Sequence, residues 1–172
     1  MSVPSPPFAI VVMGVAGSGK STVAAALAKR LGWAFAEADM FHSTANVAKM
    51  SAGTPLTDED RWPWLDAMAG WLAHARGEGR PCVLACSALR RVYRERLASG
   101  HDDVRFVFLA GDFETIEARM ARRTGHYMPA SLLASQFATL EPPAADEPAI
   151  TLSASQPVAK LVDEALAALK LA

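Results

Sequence analysis

Eight consecutive residues, Gly14 to Ser21, combine glycines, a lysine and a hydroxyl side chain at the spacing of a phosphate-binding loop, G-x-x-x-x-G-K-S/T. An apolar run precedes this segment and a helical pattern follows it, which is the context that such a loop requires. Glycines let the backbone wrap so that successive N–H groups face phosphate oxygens. The predicted nucleotide-binding residues are Gly14, Val15, Ala16, Gly17, Ser18, Gly19, Lys20, Ser21 and Thr22.

Charged and hydroxyl side chains in this segment have distinct expected roles. Lys20 is expected to reach the β- and γ-phosphates of a nucleotide, and Ser21 to hold Mg²⁺. The start of the following helix adds positive potential at the same place. A glycine-rich turn with a chance lysine is the alternative, and the strand and helix patterns on either side disfavour it.

Two carboxylates, Glu37 and Asp39, come at the end of the second apolar run. Because the carboxyl ends of parallel strands line the ligand crevice of such sheets, we expect both acids near the phosphate-binding loop. A carboxylate there can orient a hydroxyl group and accept its proton, or hold Mg²⁺ through water. A solvated strand end is the alternative for either acid considered alone.

Apolar runs of strand length alternate with helical patterns along the whole chain. The predicted strands cover residues 8–13, 33–38, 81–86, 104–109 and 149–152. Strands that alternate with helices indicate a three-layer α/β fold, with a parallel five-stranded sheet and helices on both faces. No repeat or linker divides the chain, so we expect a single domain over residues 1–172, with residues 1–7 as a loose arm.

Composition excludes several classes of protein. A chain of 172 residues fits one domain, and its net charge of -1 argues against a general nucleic-acid binder. Its apolar runs are shorter than a membrane span, and residues 1–7 contain no basic residue of a signal peptide, so a cytoplasmic protein is expected. Cys82 and Cys86 lie in an apolar run and are expected to be buried thiols.

Other motifs narrow the class of nucleotide-binding protein. A guanine-specific GTPase needs an Asn-Lys-x-Asp element, and the sequence contains none. A motor protein usually carries a hydrophobic strand that ends in aspartate, whereas the third predicted strand here ends in Cys86 and Ser87. These features favour a small-molecule kinase.

Several further segments resemble the gluconokinases of the small P-loop type, which are related to shikimate and nucleoside-monophosphate kinases. Two blocks are much more specific than the phosphate-binding loop: Pro55-Leu56-Thr57-Asp58-Glu59-Asp60-Arg61 and Cys86-Ser87-Ala88-Leu89. The remaining segments are Met13 to Ser21, Asp39-Met40-Phe41-His42, Pro63-Trp64-Leu65, Tyr93-Arg94, Gly125-His126-Tyr127 and Ser135-Gln136-Phe137.

The resemblance implies a P-loop kinase fold and the ATP-dependent phosphorylation of D-gluconate to 6-phospho-D-gluconate, with Mg²⁺ as cofactor. It makes Lys20, Asp39 and Arg123 catalytic. It also implies a lid over about residues 119–128 that closes over the phosphates. The residues implied to bind the sugar acid are Asp39, His42, Lys49, Arg61, Ser87, Arg90 and His126, and those implied to bind nucleotide from the lid are Arg119 and Arg123.

The sequence departs from the family pattern beside the second strand. Ala38-Asp39 replaces the usual Gly-Asp, His42-Ser43 replaces His-Pro, and Glu37 stands where relatives often have aspartate. The charge of the segment is unchanged by these differences.

Alternatives remain for the arginines and for the function. Arg61 has three acidic neighbours and could be their salt-bridge partner, and Arg119 could pair with Glu117. Arg90 could belong to a solvated basic helix, and a solvated position is favoured for Arg94 and Arg96. The acceptor could be another small hydroxylated molecule, such as a shikimate-like acid or a nucleotide. The chain could also be a regulatory protein that binds nucleotide without turnover. A homodimer is left open.

Overall fold

The computed structural model describes residues 6–122 and 130–171. Within these ranges the chain forms five strands, seven α-helices and one 3₁₀ turn. In chain order they are β1 Ala9–Met13, α1 Lys20–Leu31, β2 Ala34–Glu37, the 3₁₀ turn Ala38–Phe41, α2 Thr44–Ser51, α3 Asp58–Gly77, β3 Cys82–Ala85, α4 Arg91–Ala98, β4 Val104–Ala110, α5 Phe113–Arg122, α6 Ala130–Thr139, β5 Ala149–Ser153 and α7 Val158–Ala168.

The five strands form one sheet in the order β2-β3-β1-β4-β5, and every neighbouring pair is parallel. All five residues of the central strand β1 are buried. A strand covered on both faces needs apolar side chains in both directions, which explains its continuous apolar sequence. The predicted fold class, a parallel five-stranded sheet with helices on both faces, is confirmed.

Two apolar clusters fill the space between the sheet and its helices. On one face Val11 and Met13 of β1 pack with residues of α3 and α4 such as Leu65 and Leu97. On the other face Ile10 and Val12 pack with residues of α1 and α7, which contribute Leu27 and Leu161 among others. Alternate side chains of one strand therefore hold two helical layers, and the strand ends beside the phosphate-binding loop are fixed from both sides.

The helix α3 begins six residues before Trp64, the first of its buried apolar residues. Thr57 and Asp60 form a reciprocal capping box, in which each side chain accepts a hydrogen bond from the other residue's backbone N–H. This cap starts the helix at Asp58, so Pro63 is its sixth residue and lies beyond the first turn. Arg61 consequently lies on the helix itself.

The second strand is shorter than predicted. It covers Ala34–Glu37, and Ala38–Phe41 then form a 3₁₀ turn. The indole Nε1 of Trp64 donates a hydrogen bond of 2.8 Å to the carbonyl oxygen of Ala38, which gives that group a partner outside the sheet. The chain therefore leaves the sheet directly before Asp39.

Two predicted segments fall partly outside the described ranges. Residues 1–5 of the expected N-terminal arm and residues 123–128 of the expected lid are not among the described residues. Pro7, at the end of the expected arm, is buried, and residues 119–122 belong to α5. No helix in the described part of the chain is long and apolar enough to cross a membrane.

Candidate active site

A cavity of about 800 Å³ lies where the phosphate-binding loop meets the ends of β2 and β3. It is lined by several residues that the sequence had selected, from three separate segments. These are Ala16, Gly17, Lys20, Ser21 and Thr22 from the loop and α1, Glu37, Asp39 and His42 from the second segment, and Ser87 after β3. The fold therefore brings a candidate phosphate site and a candidate proton acceptor into one space.

Two glycines of the loop have conformations that other residues rarely adopt. Gly17 has φ 80° and Gly19 has φ 91°, both in the left-handed region. A Cβ atom at Gly17 would also lie 2.6 Å from the Cγ of Met120 on α5. The loop can therefore follow this path, close against α5, only with glycine at position 17.

The loop leads directly into the start of α1. Its N-cap residue is Gly19, so no side chain of the cap occupies the first N–H groups of the helix. The Nζ of Lys20 lies 3.5 Å from the carbonyl oxygen of Val15 within the loop. Helix dipole, loop N–H groups and a lysine ammonium thus favour an anion at the same point.

The loop is also tied to the end of β3. The backbone N–H of Gly14 donates to the carbonyl oxygen of Ser87 at 3.3 Å. The next residue, Ala88, is buried and has φ 44°, a left-handed conformation that is uncommon for alanine. The connection from β3 to α4 therefore has a defined shape beside the loop.

Aromatic contacts fix the acidic segment that faces the loop. The ring of His42 stacks on that of Trp64, with centroids 4.2 Å apart and planes within 10°. The side chain of Asn46 lies 3.4 Å from the Nδ1 of His42 and donates to the carbonyl of Asp60 at 2.9 Å. Asp39 lies in the chain between Ala38, whose carbonyl oxygen bonds to Trp64, and His42, which stacks on Trp64. These neighbours hold Asp39 in the cavity wall.

Burial lowers the pKa of His42 below its ordinary value of 6.5, although the nearby carboxylate of Asp39 acts in the opposite direction. The positive charge of Arg61 adds to the lowering. His42 is therefore neutral at neutral pH. A neutral imidazole offers one hydrogen-bond donor and one acceptor, which suits a hydroxyl-bearing ligand.

Three predicted cationic residues lie away from the phosphate-binding loop. Lys49 forms an ion pair of 2.8 Å with Asp60, and this contact lowers the pKa of Asp60 to about 2. Arg61 and Arg90 line a second cavity of about 430 Å³ between the starts of α3 and α4 and the end of α6. The structure thus separates these residues from the cavity that holds Lys20 and Asp39.

The two arginines of the second cavity share one acidic partner. Arg90 donates to Asp58 at 2.7 Å, and Arg61 lies 3.9 Å from the same carboxylate. Arg61 also donates to the hydroxyl of Tyr93 at 2.8 Å, and that hydroxyl donates to Asp58. The hydrogen bond from Tyr93, with further help from Arg90, lowers the pKa of Asp58. Arg61 therefore does contact one of its acidic neighbours, Asp58, as the alternative of a local salt bridge had it.

Among the predicted lid residues, Arg119 donates a hydrogen bond of 2.5 Å to the carbonyl oxygen of Ala154, directly after β5. Its neighbour in the same helix, Arg122, lines the cavity and had not been selected from the sequence. Arg123 and His126 are outside the described residues, so their roles stay predictions.

Gln136 of α6 is a site residue to which the sequence analysis had given no role. It lines the main cavity, and its Oε1 accepts a hydrogen bond of 2.7 Å from the backbone N–H of Ala16 in the phosphate-binding loop. The signal was present in the sequence. Gln136 is a polar residue at helical spacing from Leu132, Leu133 and Leu140, on a face that is otherwise apolar.

Arg94 of α4 was expected to be a solvated basic residue, and this expectation was wrong. Its side chain is only 2% exposed and forms a bidentate ion pair with Glu147 at 2.7 and 3.1 Å. It also donates to the carbonyl oxygens of Ala88 and Glu141. Because a buried guanidinium needs partners for its N–H groups, Arg94 draws the β3–α4 turn and the 141–147 loop together.

The oxygen donors of the main cavity suit a magnesium ion. The hydroxyl of Ser21 and the carboxylates of Glu37 and Asp39 share its wall. Magnesium prefers oxygen ligands and usually keeps several waters beside one or two carboxylates and substrate phosphates. In the described part of the chain no three His, Cys, Asp or Glu residues form a metal-binding group.

Comparison with known proteins assigns the chain to a family. A family model described as an AAA domain matches residues 10–143. A gluconokinase from Gluconobacter oxydans is 52% identical over 147 residues, covering 86% of this chain and 83% of the relative. A crystal structure of a gluconokinase from Sinorhizobium meliloti is 48% identical, with a TM-score of 0.87 over 96% of this chain and 92% of that one.

A sugar kinase from Janibacter sp. is about as similar to this chain as the Sinorhizobium meliloti gluconokinase is. Its unliganded crystal structure has a TM-score of 0.92 and 50% sequence identity, and the match covers 97% of this chain and 96% of that one. The chain belongs to the gluconokinase family.

Proposed function

We propose that this protein transfers the γ-phosphoryl group of ATP to D-gluconate and releases 6-phospho-D-gluconate and ADP. The observation that carries the proposal is the single cavity shared by the phosphate-binding loop, with Lys20, and the carboxylate of Asp39. The gluconokinase relatives supply the identity of the acceptor. The alternative acceptors, a shikimate-like acid or a nucleotide, and a protein without turnover are not favoured.

The chemistry of the transfer follows from the residues that line the cavity. Asp39 orients the terminal hydroxyl of gluconate and accepts its proton as that oxygen bonds to the γ-phosphorus. The bond from phosphorus to the bridging oxygen breaks at the same time, and ADP leaves. Lys20 stabilises the charge on the transferring group. Ser21, with Glu37 or Asp39 through water, would hold Mg²⁺, which neutralises phosphate charge when bound.

The acceptor site is proposed to use both cavities. His42 and Ser87 are proposed to bind hydroxyl groups of gluconate, since both line the main cavity with Asp39. Arg61 and Arg90 are proposed to bind its carboxylate, because a guanidinium can bind a carboxylate through two parallel hydrogen bonds. Both arginines would then exchange contacts with Asp58 for contacts with the ligand.

The remaining predicted features belong to this proposal as well. Lys49 is proposed to take part in the acceptor pocket through its contact with Asp60, at the start of α3. Arg119, Arg123 and His126 are proposed to act on the nucleotide and the acceptor from a lid over about residues 119–128. A cytoplasmic location and a homodimer stay predictions.

Product identification tests the proposal. The protein is incubated with MgATP and D-gluconate, and phosphorus NMR follows the nucleotide and any new phosphomonoester. We expect one phosphomonoester for each ADP formed, with mass spectrometry placing the phosphate on the terminal carbon. Inorganic phosphate in place of a phosphomonoester would show ATP hydrolysis only, and no ADP would support a binding protein without turnover. Lys20→Ala is the control for contaminating kinases.

A further inference from the structure

A side chain of α6 forms a hydrogen bond with the backbone of the phosphate-binding loop. Gln136 accepts the hydrogen bond of Ala16 at 2.7 Å across 120 residues of sequence, and it lines the cavity with Lys20 and Asp39. We propose that Gln136 is a positioning residue that couples nucleotide binding in the loop to acceptor binding beside α6. This inference rests on the proposed function, because it takes gluconate as the acceptor.

The contact at Ala16 uses a donor of the kind that phosphate needs. Backbone N–H groups of such a loop bind phosphate oxygens, and the amide oxygen of Gln136 is a neutral acceptor in the same position. Hydrogen bonds to a charged oxygen are roughly twice as strong as those to a neutral one. A nucleotide phosphate that reaches this N–H therefore displaces the amide oxygen.

Displacement does not force Gln136 out of the cavity. A glutamine amide carries two N–H donors beside its carbonyl oxygen, and rotation about its last torsion exchanges their places. After that rotation the amide can donate to a phosphate oxygen. Gln136 can therefore bond to the loop through its carbonyl oxygen, as in this structure, or to a bound phosphate through its amide N–H groups, and either contact joins α6 to the nucleotide site.

The end of α6 is bonded directly to the start of α4. The backbone N–H of Glu141, two residues after α6, donates to the carbonyl of Leu89 at 2.7 Å. The side chain of Glu141 accepts from the backbone N–H of Arg91 at 2.9 Å and lies 3.6 Å from the guanidinium of Arg90. A movement of α6 therefore reaches the residue that is proposed to bind the acceptor carboxylate.

The second cavity shows the same connection. Four of its lining residues, Ala138 to Glu141, belong to the end of α6 and the residues just after it, and they face Arg61 and Arg90. One helix thus forms a wall of both cavities, with Gln136 on the nucleotide side. Two sites that bias one structural element change each other's affinity by the same factor.

Calorimetry measures this coupling. D-gluconate is titrated into the protein alone and into the protein saturated with Mg²⁺ and a non-hydrolysable ATP analogue. For the unmodified protein we expect gluconate to bind at least about fivefold more tightly with the analogue, the lower end of typical coupling. For Gln136→Met we expect the two dissociation constants to agree within about twofold, with gluconate still bound in the absence of the analogue.

Two further variants make the test specific. Gln136→Asn keeps the amide but shortens its reach, so it should also lose the coupling, and it replaces Gln136→Met if that variant fails to fold. Ala134→Ser alters an exposed position of the same helix and should keep the coupling. Coupling that persists in the Gln136 variants, or is absent from the unmodified protein while gluconate is phosphorylated, overturns the inference alone. Gluconate that neither binds nor reacts overturns the proposed function as well.

Discussion

Lys20 contributes a positive charge at the one place in the cavity where loop N–H groups and a helix start converge. Lys20→Ala removes that charge from the transferring phosphoryl group, so we expect turnover to fall by about 10²–10³ or more, as when other transition-state donors are removed. Steady-state rates with gluconate measure the loss. Lys29→Ala, an exposed lysine on the same helix, is the matched control and should keep its rate. A folded Lys20→Ala protein with normal turnover would contradict the nucleotide-site assignment.

Asp39 is expected to act on the acceptor and not on ATP. Asp39→Asn keeps the size of the side chain and removes the proton acceptor, so turnover should fall by about 10²–10⁴, the range of general base catalysis. The dissociation constant of an ATP analogue, measured by calorimetry, should change little. Asp163→Asn on α7 provides a control for loss of one carboxylate. Loss of nucleotide binding with turnover intact would argue against this role.

The neutral state of His42 gives a prediction for pH. Because its pKa in the folded protein is below 6.5, the unfolded chain binds a proton more readily, and protonation of His42 destabilises the fold. This contribution to stability is complete above pH 6.5 and is lost as the pH falls through the folded pKa. NMR titration of the His42 ring should give a pKa below 6.5. A value at or above 6.5 would contradict the burial-driven shift.

At the scale of elements, the ion pair of Arg94 and Glu147 joins α4 to the 141–147 loop. Removing one partner of a buried pair leaves the other charge without compensation and costs about 3–5 kcal/mol. We expect Arg94→Met to lower the free energy of unfolding by about that amount, as measured by urea denaturation.

The double variant is the control for this pair. Arg94→Met with Glu147→Leu replaces both charges by apolar groups, which is often neutral in buried pairs, so it should recover much of the loss. Arg96→Met, which breaks an exposed ion pair with Asp66, should cost less than about 1 kcal/mol. A small effect of Arg94→Met would show that the pair is not a fixed part of the fold.

The elements themselves were largely predictable from the sequence. The central strands β1 and β3 have continuous apolar runs, because both of their faces are covered. The alternation of such runs with helical patterns gives the order of strands and helices. Boundaries that depend on a distant partner were not predictable. The 3₁₀ turn before Asp39 uses a hydrogen bond from Trp64, 26 residues away.

The same distinction holds for the candidate site. The phosphate-binding loop is a continuous segment with its own backbone requirements, so its residues could be read directly. The burial of Arg94 could not be predicted, because the local sequence does not distinguish a buried arginine from a solvated one. Its partner Glu147 lies 53 residues away in the chain. Gln136 reaches Ala16 across 120 residues in the same way, and only its polar type on an apolar helix face marked it.

At the scale of the whole molecule, the two cavities are proposed to bind different parts of the acceptor. The main cavity holds the transfer chemistry, and the second cavity holds two arginines that share Asp58. A neutral polyol offers no carboxylate to these arginines, whereas gluconate does. Leaving charged groups without their ligand costs a few kcal/mol, so we expect discrimination of about a hundredfold or more against uncharged acceptors.

Arg61 provides the specific test of that discrimination. Its side chain is 15% exposed and contacts Tyr93, so it is already oriented in the second cavity. Arg61→Ala should reduce kcat/KM for gluconate more than for sorbitol. Arg61→Lys should restore the difference only in part, because lysine lacks the two-pronged geometry of the guanidinium. Circular dichroism checks that both variants fold.

The most direct test of the account is the ratio of kcat/KM for D-gluconate to that for sorbitol, measured by coupled ADP release with MgATP. Sorbitol has the same open chain of hydroxyl groups without the carboxylate. We expect a ratio of about a hundred or more. Equal values for the two acceptors would contradict the assignment of this protein as a kinase that selects a sugar acid.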